Sequence, residues 1–152
     1  MTDPTDHTSQ QGEQVAQQGP RVAGMVGVSV THRRYVPYSH AHYAGDLVDG
    51  AYVLGLFGDV ATEMCIRTDG DEGLFASYSD VQFRAPVRAG DVVEVEATLT
   101  RAGTRSRTLD LVARVVCRAD ERPGAAESAA VELDPPVVAT TATGTVVVPP
   151  RT

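Results

Sequence analysis

Between His40 and Glu63 the chain reads HAHYAGDLVDGAYVLGLFGDVATE, and its proton-carrying groups crowd into this one stretch. His40, His42, Tyr43 and Asp49 come first, and Asp59 and Glu63 follow, four positions apart. A histidine exchanges a proton near neutral pH without help from its surroundings. Two carboxylates at i and i+4 on a partly buried helical face would repel, so one would keep its proton and act as an acid. The same two groups have a structural reading, as a solvated stripe or as partners of Arg33, Arg34 or Arg67. Asp49 is readable both as a base and as a helix cap, because Asp is a strong N-cap. After it come the small residues Gly50 and Ala51. The first N–H groups of a helix lack intrahelical partners and sit at the positive end of its dipole. With no bulk at Gly50 and Ala51, a carbonyl could approach those groups and be polarised. The enolate formed by loss of an α-proton would be stabilised there. Packing alone is the competing reason for small residues at a helix start. The chemistry that suits this set is proton transfer beside an activated carbonyl, with His42, Asp49, Asp59 and Glu63 unranked and His40 read as surface.

These groups need elements to hold them. Apolar residues at Val53, Leu54, Phe57, Val60, Ala61 and Met64 recur with helical period, which predicts a helix from Gly50 to about Arg67. The run TDGDEG (68–73) is turn chemistry and stops it. Ahead of the loop, alternation from Met25 to about Tyr35 predicts a strand ended by Pro37. Beyond the helix, strands are predicted at 74–85, 92–101, 105–118 and 137–148. Residues 119–136, rich in Ala, Glu and Pro, read as a mobile loop. Residues 1–20 have almost nothing to bury and read as a disordered tail, leaving one domain at 21–150. One long helix among strands predicts an α+β domain with a mainly antiparallel sheet wrapped around that helix.

Composition narrows the function. A chain of 152 residues, 42% hydrophobic and 22% charged, is one ordinary domain. No apolar run approaches the roughly 18–20 residues of a membrane span. The N-terminus has neither the basic start nor the apolar stretch of a secretory signal, so a cytoplasmic protein is expected. A net charge of −7 argues against nucleic acid as a partner. All 13 basic residues are arginine, which excludes a lysine Schiff base or lysine general base. Cys65 and Cys117 have no metal or redox spacing and read as thiols. His40-x-His42 lacks a third ligand, so no metal site is expected.

The layout resembles the hot-dog fold of acyl-CoA thioesterases and dehydratases, in which one long helix is wrapped by a five- or six-stranded antiparallel sheet. Asp80-Val-Gln-Phe-Arg-Ala-Pro-Val-Arg-Ala-Gly-Asp-Val-Val-Glu-Val95 is similar to its strand–turn–strand motif, and Ala102-Gly-Thr-Arg-Ser106 to its next turn. A more specific likeness lies in His42-Tyr-Ala-Gly-Asp-Leu-Val-Asp-Gly-Ala51, Leu56-Phe-Gly-Asp-Val-Ala-Thr-Glu63 and Asp69-Gly-Asp-Glu-Gly-Leu-Phe75. These resemble the small hot-dog β-aminoacyl-CoA ammonia lyases, which act on β-alanyl-CoA or 3-aminobutyryl-CoA. The resemblance implies elimination of ammonia from a β-amino acyl thioester, or the reverse aza-Michael addition of an amine or amino acid. CoA or a carrier-protein pantetheine would arrive as part of the substrate, with no separate cofactor. Tyr43, Gly50 and Ala51 would meet the acyl group, and Thr104 and Ser106 the pantetheine amides. Arg84, Arg88, Arg105 and Arg107 could pair with CoA phosphates or a carrier-protein surface, or be solvated strand ends. Hot-dog sites usually form between two subunits, so a homodimer or larger homo-oligomer is expected. Many hot-dog thioesterases carry a water-activating helix carboxylate seven or eight residues after the helix start. Here that position is Phe57, Gly58 or Asp59, which weakens hydrolysis as the runner-up. A non-catalytic acyl-thioester binding module is the third reading.

Overall fold

The computed structural model describes residues 21–150; the expected disordered tail, 1–20, lies outside them. Strand β1 (Ser29–Tyr35) precedes helix α1 (Gly50–Asp69), and β2 (Leu74–Phe83), β3 (Val92–Ala102), β4 (Ser106–Ala119) and β5 (Ala130–Val147) follow it. The strands form one antiparallel sheet in the order β1-β3-β4-β5-β2. Helix α1 packs against all five strands. This is the arrangement the hot-dog resemblance implies.

Helix α1 is placed by its apolar stripe. Val53, Phe57, Val60, Ala61, Met64 and Cys65 are all buried, while Leu54 is only partly so. They meet the inward phases of β3 (Val93, Val95, Ala97, Leu99) and β4 (Leu109, Leu111, Ala113, Val115). Each large side chain so buried contributes about 1.5–3 kcal/mol. Asp49 caps the helix, its Oδ1 accepting from the Tyr52 N–H at 3.0 Å. Gly70 ends it in the left-handed conformation (φ 67°), its N–H bonded to the Ile66 carbonyl. Glycine bears that φ without penalty.

Two expected boundaries move. β1 starts at Ser29, not Met25, because the preceding residues turn on themselves: the Met25 N–H donates to Val22 O and the Val28 N–H to Met25 O. β5 starts at Ala130, so residues 130–136 of the expected loop are strand. Pro135 and Pro136 fall in the register gap between the pairs Cys117↔Glu132 and Val115↔Val137. A missing N–H is tolerated where the ladder is interrupted.

The turn Pro86–Asp91 carries the structure toward the site. Gly90 has φ +88°, and a methyl there would sit 2.7 Å from the Tyr38 hydroxyl. Asp91, 1% exposed, accepts from the Arg88 N–H at 2.8 Å and from the Arg118 guanidinium at 3.0 and 2.7 Å. The turn in turn clamps the loop ahead of α1: the Val48 N–H donates to Val87 O and the Ala89 N–H to Asp46 O. The motif therefore serves architecture, and its product is a fixed loop.

Candidate active site

The loop 40–49 closes on itself before it reaches the helix. The N–H groups of His42 and Tyr43 both donate to the Leu47 carbonyl, at 2.8 and 2.9 Å. The tight return passes through Gly45 and Asp46, both left-handed at φ 70° and 61°. It brings His42 Nδ1 to 3.9 Å from Asp49 Oδ2. That distance is charge proximity rather than a hydrogen bond. Asp49 thus serves both of its readings, one oxygen capping the helix and the other turned toward His42. His40 is exposed, its ring 4.6 Å from that of Tyr52.

A cleft of about 410 Å³ opens at this junction, lined among others by Tyr43, Val48, Asp49, Gly50, Phe83 and Arg84. The Phe83 ring lies directly over Gly50: a methyl on Gly50 would fall 2.5 Å from its Cε1. Among the described residues, the N–H groups of Gly50 and Ala51 donate to no protein acceptor, since the cap carboxylate takes the N–H of Tyr52. Two free donors at the positive end of a long helix, the first of them on a residue that lines the cleft, suit a carbonyl oxygen gathering negative charge. Arg84 is exposed at the cleft, where it can meet an anionic group.

Asp59 and Glu63 lie elsewhere. They stand roughly 14 and 20 Å along the helix from Gly50, at 1.5 Å per residue. Asp59 is exposed and shares a smaller cleft with His32, Arg34, Leu56 and Val95. Glu63 is bonded on both oxygens, to His32 Nε2 at 3.1 Å and Arg67 Nε at 2.8 Å. The hydrogen bond from His32, and then that from Arg67, hold its carboxyl below the usual value of 4.5. The acid expected from repulsion between two buried carboxylates does not arise at Glu63, because Asp59 is solvated and the Arg67 guanidinium and the His32 ring meet Glu63 instead. Of the three possible hydrolase positions, Phe57 is fully buried, Gly58 has open space at its Cβ, and Asp59 bears the carboxylate.

Thr104 and Ser106 sit at the β3–β4 turn, which is tied to the C-terminal end of α1. Arg107 donates to Asp69 at 2.6 and 3.0 Å and to the carbonyls of Gly103 and Ser106 at 2.8 Å each. A helix of 20 residues is roughly 30 Å long, so within one chain this turn is far from Gly50. Arg107 is 5% exposed and committed to Asp69, which removes it from the phosphate-binding candidates. Arg88 is paired with Glu121, and Arg105 is exposed at the far turn. Among the described residues, no three His, Cys, Asp or Glu side chains are grouped to hold a metal ion, and no helix is long and apolar enough to cross a membrane.

Two participants were not singled out in the sequence. Phe83 covers the helix start only because β2 returns beside it. His32 had a legible signal: it continues the inward phase of Val30 along β1, opposite Val95 on β3.

Comparison with known proteins agrees with this geometry. Residues 47–116 match the thioesterase superfamily. The chain is 52% identical over 111 residues to a 3-aminobutyryl-CoA ammonia lyase of Acetoanaerobium sticklandii, covering 72% of this chain and 85% of that one. The structure of β-alanyl-CoA:ammonia lyase from Clostridium propionicum superposes with a TM-score of 0.76 at 36% identity, covering 82% of this chain and 87% of that one. A hexameric hotdog fold thioesterase of Campylobacter jejuni shares the fold at a TM-score of 0.64 and 16% identity, over 79% and 82% of the two chains. The chain therefore belongs to the aminoacyl-CoA ammonia lyase family of the hot-dog thioesterase superfamily.

Proposed function

We propose that this chain is a carbon–nitrogen lyase that makes or breaks the bond between an amine and the β-carbon of an acyl thioester. The observation that carries the reading is the pair of free N–H groups at Gly50 and Ala51 at the head of α1, with Gly50 lining a cleft, in a chain of this family. A thioester oxygen seated on them is polarised. A base then takes the α-proton, and the enolate charge falls on that oxygen. The electron pair closes the Cα–Cβ double bond as the Cβ–N bond breaks, and the amine leaves with its bonding pair and collects the proton. Addition runs the same steps backward. Asp49, at the helix start itself, and His42, 3.9 Å from it, are the acid–base groups beside that thioester oxygen. CoA or a pantetheine enters with the substrate, and this chemistry asks for no separate cofactor. Ammonia is the amine that fits the relatives' names, with an amino acid as the variant.

The working unit is a homodimer or larger homo-oligomer. Asp59, Glu63, Thr104 and Ser106 cannot reach a thioester at Gly50 of their own chain, and they join its site only if a second copy supplies them. β2 is an edge strand with apolar exposure at Leu74 (70%) and Phe83 (59%), and such edges invite pairing. Asp59, a helix carboxylate close to the thioesterase position, is what favours hydrolysis as the second reading.

Incubation with crotonyl-CoA and ammonium, read by product mass, tests the proposal. A mass gain equal to ammonia supports the lyase, release of free thiol supports hydrolysis, and binding without turnover points to a binding module.

A further inference from the structure

His32 and Glu63 form a carboxylate–imidazole pair that the helix-start site does not use. An ionised carboxylate only accepts hydrogen bonds, so at 3.1 Å the proton lies on His32 Nε2. That leaves Nδ1 as the basic nitrogen. No partner among the described residues occupies Nδ1. Arg67 holds the second oxygen of Glu63 at 2.8 Å, which fixes the carboxylate and keeps it charged. The imidazole borders a cleft of about 180 Å³ between β1 and α1. The charged groups lining that cleft are Asp59 on α1 and Arg33 and Arg34 on β1, while Glu63 meets the ring itself and Arg67 stands behind Glu63. Of these, the Arg33 guanidinium is bound to Glu94 at 2.9 and 3.0 Å. From β3 the neighbour of this cleft is apolar Val95.

We propose that His32 is a proton-exchanging residue of the lyase reaction, acting on a thioester held at the helix start of a second copy of the chain because its partner Glu63 stands roughly 20 Å from Gly50 of its own chain, and that Glu63 acts through it, as the residue that sets its tautomer and orientation. This rests on the lyase reading above. In elimination, His32 Nδ1 takes the α-proton and becomes imidazolium. The enolate expels the amine with its bonding pair, and the imidazolium returns its proton to that amine. Electrons and protons balance with no further reagent. Glu63, with both oxygens engaged, stabilises the imidazolium but does not carry the proton itself. A carboxylate that orients a histidine in this way works by fixing tautomer and position.

The test uses the full-length protein with crotonyl-CoA and ammonium, and with a 3-aminoacyl-CoA in the other direction. His32→Gln should lower kcat by about 10² to 10⁴ with KM little changed. It should also abolish the acidic limb of the pH profile. Glu63→Gln should lower kcat by less, keep that limb but displace it, and be partly rescued in Glu63→Asp. A folded His32→Gln protein within about threefold of wild type overturns the proposal, as does Glu63→Gln losing more activity than His32→Gln. If His32→Gln does not fold, the wild-type profile decides, since an acidic limb in the carboxylate range also overturns it. No amine adduct from the wild type overturns the lyase reading and this one with it, whereas an adduct made regardless of His32 overturns this one alone.

Discussion

Gly50→Ala separates a helix start that binds a carbonyl from one that merely packs. Gly50 is the first residue of α1, and its φ is outside the left-handed range, so alanine suits the backbone. The new methyl would meet Phe83 Cε1, Cζ and Cδ1 at 2.5, 2.6 and 3.2 Å. Carbon atoms settle near 3.5–4.0 Å, so the ring must retreat by roughly 1 Å or more. Phe83 is 59% exposed and can do so at small cost, partly offset by a helix preference for Ala over Gly of at most about 1 kcal/mol. The melting temperature should therefore stay within about 3 °C of wild type. The methyl and the displaced ring, however, now stand before the free N–H groups. Loss of one oxyanion donor costs about 10²–10³ in kcat, or roughly 2.7–4 kcal/mol, and a fall of about 10² in kcat/KM is expected. Adduct formation from crotonyl-CoA and ammonium, followed by mass, and a thermal melt on the same sample give the two readouts. Wild-type kcat/KM in a folded Gly50→Ala protein would refute the reasoning. A melt lowered by about 10 °C would refute it too, because the glycine would then be a packing requirement.

Asp49→Asn should keep an acceptor for the Tyr52 N–H and hence the melt, but lose activity through the missing charge beside His42. Asp49→Ala should in addition lose about 0.5–2 kcal/mol with the cap, as read by denaturant titration. Arg107→Met strips Asp69 of a partner at a site where both side chains are 6% exposed. Breaking such a pair costs about 3–5 kcal/mol, so a melt lowered by roughly 10 °C or more is expected; lost activity with an intact melt would return Arg107 to the phosphate ligands. The Glu63 carboxyl is depressed below 4.5 by His32 and then Arg67. Its stabilisation is thus fully present above that pH and lost as pH falls through the folded value, so melts of wild type and Glu63→Gln should converge on acidification below 4.5. Burial pushes the Cys65 thiol up from 9.0 to about 11. The folded protein should therefore resist alkylation of Cys65 at pH 8, and its contribution to stability should fade between pH 9 and 11.

Much of this molecule is local and so legible along the chain. The 3.6-residue period from Val53 to Met64, the cap at Asp49 and the stop at Gly70 are decided by neighbours within one or two turns. The alternation in β3 and β4 likewise shows which side chains face the helix. By itself, then, the sequence determined one helix against a five-stranded sheet, a small-residue helix start behind a polar loop, and the kinship carried by those motifs. Tertiary structure decided what the groups touch. Asp59 and Glu63 share a helical stripe in sequence, but strand β1 brings His32 to Glu63 and leaves Asp59 to solvent, which reverses the expected titration. Arg107 reads as a surface cation until the β3–β4 turn folds onto the end of α1 and buries it against Asp69. The length of α1 sets Thr104 and Ser106 at its far end, so that only a second copy could bring them to Gly50. Spacing along a chain fixes period and face, whereas charge partners and distances depend on strand pairings between residues remote in sequence.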